Sequence, residues 1–241
     1  MAATRTALRR VPTRTNAMPM VTVLTGLREV GGATGRDFSR SFSSGKTSVH
    51  QMAQNPVNVI AAVLPNMGIG WKGGLPWHSK SLVKEMKHFT RLTSAAAEGK
   101  QNAVVMGRKT WESIPEKFRP LRNRINVVLS RTLSHLPLGA HYLATDFSNA
   151  LAQLSESELC CRIDHIWIIG GSSIYKEALL HPACHRIFIT RIMHDFEADT
   201  FFPHINSKRF SLCQSYPGIP EEIQEENGVQ YKFEVYEVVA K

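Results

Sequence analysis

From residue 57 onward the chain alternates short, nearly continuous apolar runs with stretches whose apolar residues recur at helical spacing. Runs at 57–64, 103–106, 125–129, 166–169 and 186–190 predict strands covered on both faces, as in a largely parallel sheet. Between them, 82–92, 110–114, 147–154 and 173–180 predict helices. Near the C-terminus, 231–238 alternates with period two, predicting a half-exposed antiparallel strand. A run near Phe210 is expected to pair with it across the Pro217 to Gly228 loop. With no internal repeat or linker after residue 54, the pattern predicts one α/β domain over 54–241. Its architecture is a central, mostly parallel mixed sheet flanked by helices and closed by a C-terminal antiparallel hairpin.

Residues 1–53 carry no such pattern. Met1 to Arg28 contains no acid but five arginines, at 5, 9, 10, 14 and 28. Of the formal charge of +9, eight Lys/Arg against two acids place +6 in residues 1–53, leaving +3 on the body. An arginine- and serine-rich, acid-poor start is the composition of a transit peptide, and Arg40-Ser-Phe42 resembles a mitochondrial processing site. We therefore expect a mitochondrial protein. A disordered tail is the alternative, as is a true start at Met52, which would make the protein cytoplasmic. A body of +3 without aromatic-interleaved basic stretches predicts no nucleic-acid partner. No apolar run approaches the roughly 18 residues of a membrane span, so no membrane partner is expected. The four cysteines, at 160, 161, 184 and 213, lack metal-ligand spacing and read as reduced thiols; no metal is expected.

Candidate chemistry collects at strand ends, where open α/β sheets bind ligands. The first strand runs into Asn66-Met-Gly-Ile-Gly-Trp-Lys-Gly-Gly-Leu-Pro-Trp77. Its Gly68-x-Gly70-x-x-Gly73 is a weak dinucleotide signal, because no helix opens at the last glycine; a mobile flap is the better expectation. The second ends in Gly107-Arg108-Lys109-Thr110, a helix start with two cations and a hydroxyl, suited to phosphate. The third ends in Ser130-Arg131, suited to a second phosphate. The fourth, Ile169-Gly170-Gly171-Ser172-Ser173-Ile174-Tyr175, lets a pyrophosphate approach backbone amides. Each alone is commonly a capped helix or a tight turn. Together they imply a dinucleotide across the strand ends, with an extra phosphate for Arg131. On helix 82–92, Leu82, Glu85, Met86, Phe89 and Leu92 share a stripe. A carboxylate on that apolar face needs a proton or a partner, which marks Glu85 as a functional candidate beside the plainer reading of a face-edge glutamate reaching water.

These motifs, in this order over about residues 57–239, resemble the dihydrofolate reductase family, of eukaryotic and, we expect, fungal type. The resemblance rests on Leu75-Pro-Trp77, Lys84-Glu85-Met86, Met106-Gly-Arg-Lys-Thr-Trp-Glu-Ser-Ile-Pro115, Arg119 to Arg131, Ile169 to Tyr175 and Thr200-Phe-Phe-Pro203. It implies NADPH-dependent reduction of 7,8-dihydrofolate to tetrahydrofolate, with hydride delivered to pterin carbon 6 and a proton to nitrogen 5. Glu85 would bind the pterin, supported by Thr190, with Trp77 holding an ordered water. Ile60, Phe89, Ile114 and Leu121 would enclose the substrate, and Arg124 would fork onto its α-carboxylate. Ala62, Ile69 and Gly70 would line the nicotinamide, and Leu75 would close over it. Gly107, Arg108, Lys109 and Thr110 would take phosphates, Ser130 and Arg131 the adenosine 2′-phosphate, and Ile169 to Tyr175 the pyrophosphate. A cis peptide between Gly170 and Gly171 is implied, as are antifolate binding and a monomer.

One departure stands out: seven residues, His78 to Lys84, separate Trp77 from Glu85, more than the family pattern implies. A bulge is expected there, with Ser79 or Ser81 capping the helix. Rival readings are a catalytically impaired folate-binding paralogue and a nucleic-acid binder acting through the basic tail. A riboflavin-pathway reductase of the same fold would need neither Glu85 nor Arg124.

Overall fold

The structure is a computed structural model and describes residues 55–239; the expectations for residues 1–53 lie outside the described residues. In chain order the elements are β1 (Val57–Val63), β2 (Gly68–Gly70), α1 (Val83–Ser94), β3 (Gln101–Gly107) and α2 (Arg108–Ser113). Next come β4 (Arg124–Leu129), β5 (Tyr142–Ala144), α3 (Phe147–Leu154), α4 (Ser157–Cys160), β6 (Ile163–Ile168) and α5 (Ser172–Leu180). The chain closes with β7 (Cys184–Ile192), β8 (Thr200–Phe201), β9 (Phe210–Leu212), β10 (Gln224–Glu226) and β11 (Val229–Val238).

The main sheet has the order β10-β11-β7-β1-β6-β3-β4-β5, with β9 pairing the far end of β11. Strands β7 to β5 in that order are mutually parallel, and β11 joins β7 antiparallel. The buried apolar runs make this arrangement necessary: Val57, Val59, Val63, Val104, Val105, Ile168 and Ile187 have almost no exposure, which requires cover on both faces. One apolar cluster gathers α3 and α5 against the sheet, and a second, around Trp111 and Trp167, fills the opposite side.

The C-terminal hairpin differs from expectation. The strand that adjoins β11 in sequence is β10, through a two-residue turn at Asn227 (φ 52°) and Gly228 (φ 74°). Both residues are in the left-handed region, which an Asn-Gly pair accepts readily. The Phe210 run does pair with β11, at Val238↔Phe210.

The glycine-rich segment after β1 is a small ribbon. β2 pairs antiparallel with β8, and Trp71 and Gly74 exchange backbone bonds of 3.0 and 2.9 Å around Lys72-Gly73. Asp199 anchors its tip by accepting from the Lys72 amide at 2.8 Å. The mobile flap expected there is thus tied at two places by hydrogen bonds that the glycine count did not reveal.

Candidate active site

Helix α1 carries the decisive carboxylate. The apolar stripe turns Glu85 toward the sheet, where it keeps only 6% exposure. Its Oε1 accepts a hydrogen bond from the Thr190 hydroxyl at 3.0 Å. The β1–β7 register sets Thr190 beside Ala62, so the hydroxyl stands in the middle of the sheet, facing α1. Burial is the largest influence on Glu85 and lifts its pKa to about 7; the Thr190 bond opposes that shift and the nearby Glu226 charge adds to it. A group poised there holds or yields a proton near neutrality.

Glu85 lines a cleft of about 600 Å³ with Leu75, Trp77, Leu82, Met86 and Arg91. Trp77 and Leu82 are buried, so the bulge His78 to Lys84 is pinned at both ends. Met86 does not follow the predicted burial: it is 46% exposed at the edge of the stripe that meets the open cleft, while Phe89 and Leu92 pack against the core. Leu75, 43% exposed, stands at the same opening. Ile60, Phe89, Ile114 and Leu121 come together in one apolar cluster with Trp111 and Ile169.

Neither Ser79 nor Ser81 caps α1. Leu82 occupies the cap position with no side-chain bond, and Glu226 supplies the acceptors from the β10–β11 turn. A serine nearby in sequence was displaced by a longer carboxylate that tertiary folding delivers.

Arg124 opens β4 with 6% exposure. Its Nη1 donates to Thr93 Oγ1 at 2.7 Å and its Nε to the Arg122 carbonyl at 2.9 Å, but no carboxylate pairs with it among the described residues. Burial pulls its pKa down. A buried cation held by neutral acceptors is suited to an incoming carboxylate.

At the opposite side of the strand ends, β3 and β6 deliver Gly107 and Gly170-Gly171 to one spot, with the Gly107 amide donating to the Gly170 carbonyl at 2.8 Å. The Gly170–Gly171 peptide is cis and Gly170 has φ 131°. A Cβ on Gly170 would lie 3.1 Å from Thr110 Oγ1, and one on Gly171 3.5 Å from the same atom. The two glycines therefore form a side-chain-free cradle against Thr110, which fits a phosphate group approaching backbone amides. Tyr175 is buried behind it, donating to the Ile60 carbonyl at 2.8 Å, and so links the cradle to β1.

Some predicted cofactor contacts are already engaged. Arg108 is paired with Glu112 at 2.9 Å, leaving Lys109 as the exposed cation of that helix start. Ser130 Oγ accepts from the Thr132 and Leu133 amides at 3.2 and 3.1 Å, shaping the turn after β4. Ser172 Oγ donates to the Phe201 carbonyl at 2.6 Å, so its hydroxyl serves the ribbon rather than the cradle. Arg131 is exposed and forms no ion pair among the described residues. Ile69 and Ile174 are half-buried against the main core, Gly70 ends β2 and Ser173 lies in the first turn of α5.

The sequence matches the family model for dihydrofolate reductase over residues 56–238. This chain belongs to the dihydrofolate reductase family. It is 57% identical over 182 residues to dihydrofolate reductase of Gallus gallus, covering 75% of this chain and 95% of that protein. It is 54% identical to that of Rattus norvegicus over 183 residues, covering 76% and 97%. Among solved structures, Schistosoma mansoni dihydrofolate reductase is similar at a TM-score of 0.68 and 41% identity, over 78% of this chain and all of that one.

As a dihydrofolate reductase the chain is an enzyme, an oxidoreductase acting on folate, with a fold that in this family binds dihydrofolate and antifolates. Dihydrofolate reductases use a nicotinamide cofactor, and the cradle at Gly170-Gly171 and Thr110 has the makeup to hold its phosphates. Three residues bearing on the site escaped the sequence reading. Thr93, fully buried, orients Arg124; Tyr231 lies buried close enough to Glu85 for the two to interact; Glu226 holds the end of α1. Only the last left a sequence signal, the Asn227-Gly228 turn dipeptide beside it.

Proposed function

We propose that the protein reduces 7,8-dihydrofolate to 5,6,7,8-tetrahydrofolate with NADPH, the pterin lying against Glu85 and the cofactor along the strand ends. The observation that carries this reading is the buried Glu85 carboxyl, which lines the cleft and is bonded to Thr190 behind it; burial raises its pKa to about 7. When bound, NADPH supplies a hydride. Glu85 binds the pterin's N3 and 2-amino group and, protonated over the lower half of the neutral range, assists protonation at nitrogen 5. Thr190 fixes the orientation of that carboxyl, and Trp77 holds the water beside it. Ile60, Phe89, Ile114 and Leu121 exclude bulk water from the reacting atoms. Arg124 receives the substrate's α-carboxylate, which gives a buried cation the counter-charge it otherwise lacks.

On the cofactor side, Ala62, Ile69, Gly70 and Leu75 line the nicotinamide, and Gly107, Lys109, Thr110 and residues 169–175 hold the phosphates. Arg131 reads the 2′-phosphate; Arg108, Ser130 and Ser172 act through the turns and pairs they already make. The test follows NADPH consumption optically in the presence of dihydrofolate, with NADH as comparison and Glu85→Gln alongside. Rapid NADPH use, much weaker NADH use and collapse in Glu85→Gln are expected. Tight folate binding without turnover would replace this reading with that of a folate-binding paralogue.

Residues 1–53 serve, in the same reading, as a mitochondrial address, and the body works as a monomer without nucleic-acid or membrane partners. Fusing residues 1–53 to a fluorescent protein tests the address; a diffuse cytosolic signal rejects it. Sedimentation of the full chain tests the monomer.

A further inference from the structure

The first turn of an α-helix leaves amides without internal partners, and in α1 these flank the residue on which the site depends. The acceptors come from 142 and 143 residues away: one Glu226 oxygen accepts from Val83 N and the other from Lys84 N, both at 2.8 Å. The next residue, Asn227, donates from its side chain to the Ser81 carbonyl. Glu226 and Asn227 sit where β10 turns into β11, with Glu226 opposite Val229. Further along, β11 pairs with β7, placing Phe233 opposite Thr190. The adjoining strands β7, β11 and β10 thus hold Glu85 by its carboxylate, through Thr190, and its helix by the backbone, through Glu226.

We propose that Glu226 is a positioning residue for the reaction: its carboxylate, clamped on the first turn of α1, sets both the placement and the protonation of Glu85. The inference rests on the reading of Glu85 as the group that serves the pterin. Two effects follow from the geometry. The clamp fixes the backbone of Val83 and Lys84, and with it the direction in which Glu85 leaves the helix. The charge of Glu226 also offsets the positive end of the helix dipole, which would otherwise favour an ionised Glu85.

The other groups around Glu85 leave this influence visible. Thr190 on β7 is neutral, and the phenols of Tyr175 on α5 and Tyr231 on β11 are pushed well up by burial, Tyr231 to about 12, so both stay uncharged. On α1 itself, burial and Arg91 bring His88 down to about 4, and Lys84 precedes Glu85 at the exposed side of the turn.

The experiment measures dihydrofolate reduction by the full chain across acid to alkaline pH for wild type, Glu226→Gln, Glu226→Asp and Glu85→Gln, with thermal melts of each. Glu226→Gln removes the charge, and the alkaline fall in kcat is expected to move to lower pH by about half a unit. Glu226→Asp keeps the charge but cannot reach both amides. It should raise the KM for dihydrofolate about threefold while the alkaline fall stays in place. Lowered melting temperatures with an unmoved pH profile and an unmoved KM would overturn the proposal, reducing Glu226 to a helix cap. If Glu226→Gln does not fold, the KM of Glu226→Asp decides. A Glu85→Gln enzyme retaining wild-type rate and pH profile would instead overturn the reading of Glu85 itself, whatever the Glu226 variants do.

Discussion

Glu85 is more comfortable neutral than charged, and this has a consequence for stability as well as catalysis. Its folded pKa of about 7 lies above the unfolded value of 4.5, so the folded state binds the proton more tightly. The stability it contributes is fully present below about 4.5 and is lost as pH rises through about 7. Glu85→Gln, a neutral near-isostere, should therefore match the wild type in denaturant titrations near the lower value. Above the higher one it should exceed the wild type by on the order of 3 kcal/mol. A variant uniformly less stable at all pH values would contradict this account. Thr190 acts in the opposite sense to Glu226, since its hydroxyl bonds the carboxylate and favours the ionised form. In Thr190→Val the alkaline fall in kcat should move upward by roughly one unit. Movement toward acid would show that the hydroxyl does not stabilise the anion. Glu85 was legible in the sequence because a carboxylate on an apolar stripe is conspicuous. The exposure of Met86 was not, since spacing predicts which residues share a face but not whether that face meets core or cleft.

At the scale of elements, the long strands of the sheet could be read directly because both of their faces are buried and their residues are accordingly apolar. β2, β5, β8 and β10 could not: three residues or fewer show no period, and Gln224-Glu-Glu226 is polar throughout. These short strands exist because of their neighbours. The cap on α1 escaped for the same reason, being supplied across the fold. The cradle at the end of β6 was legible from its paired glycines, and the structure adds why the first must be glycine. At φ 131° a side chain is strained, and its Cβ would meet Thr110 at 3.1 Å. Gly170→Ala should cost on the order of 2 kcal/mol by thermal or chemical denaturation and weaken NADPH binding measured by fluorescence titration. Unchanged stability and affinity would remove the cradle from the cofactor site.

For the whole molecule, dividing the charge along the chain did more than its total. The excess of +6 in residues 1–53 belongs outside the family match, which begins at residue 56. The body is only mildly basic, in keeping with the proposal that single arginines, the buried Arg124 and the exposed Arg131, receive small anionic groups. A chain lacking residues 1–53 should reduce dihydrofolate with kcat/KM within about twofold of the full chain. A larger loss would mean that the extension contributes to the catalytic body.

The order of strands in the sheet also dictates a timetable. The first strand of the body, β1, lies between β6 and β7, and so waits for more than a hundred further residues to leave the ribosome before either flank is covered. Glu85 emerges early, yet Thr190 and Glu226, which hold it by side chain and by helix, are among the late arrivals. Local helices can form during synthesis, but the pairing that completes the core is long-range and slow by nature. A nascent chain thus lacks both supports of Glu85, the Thr190 bond and the Glu226 clamp, until most of the body has emerged.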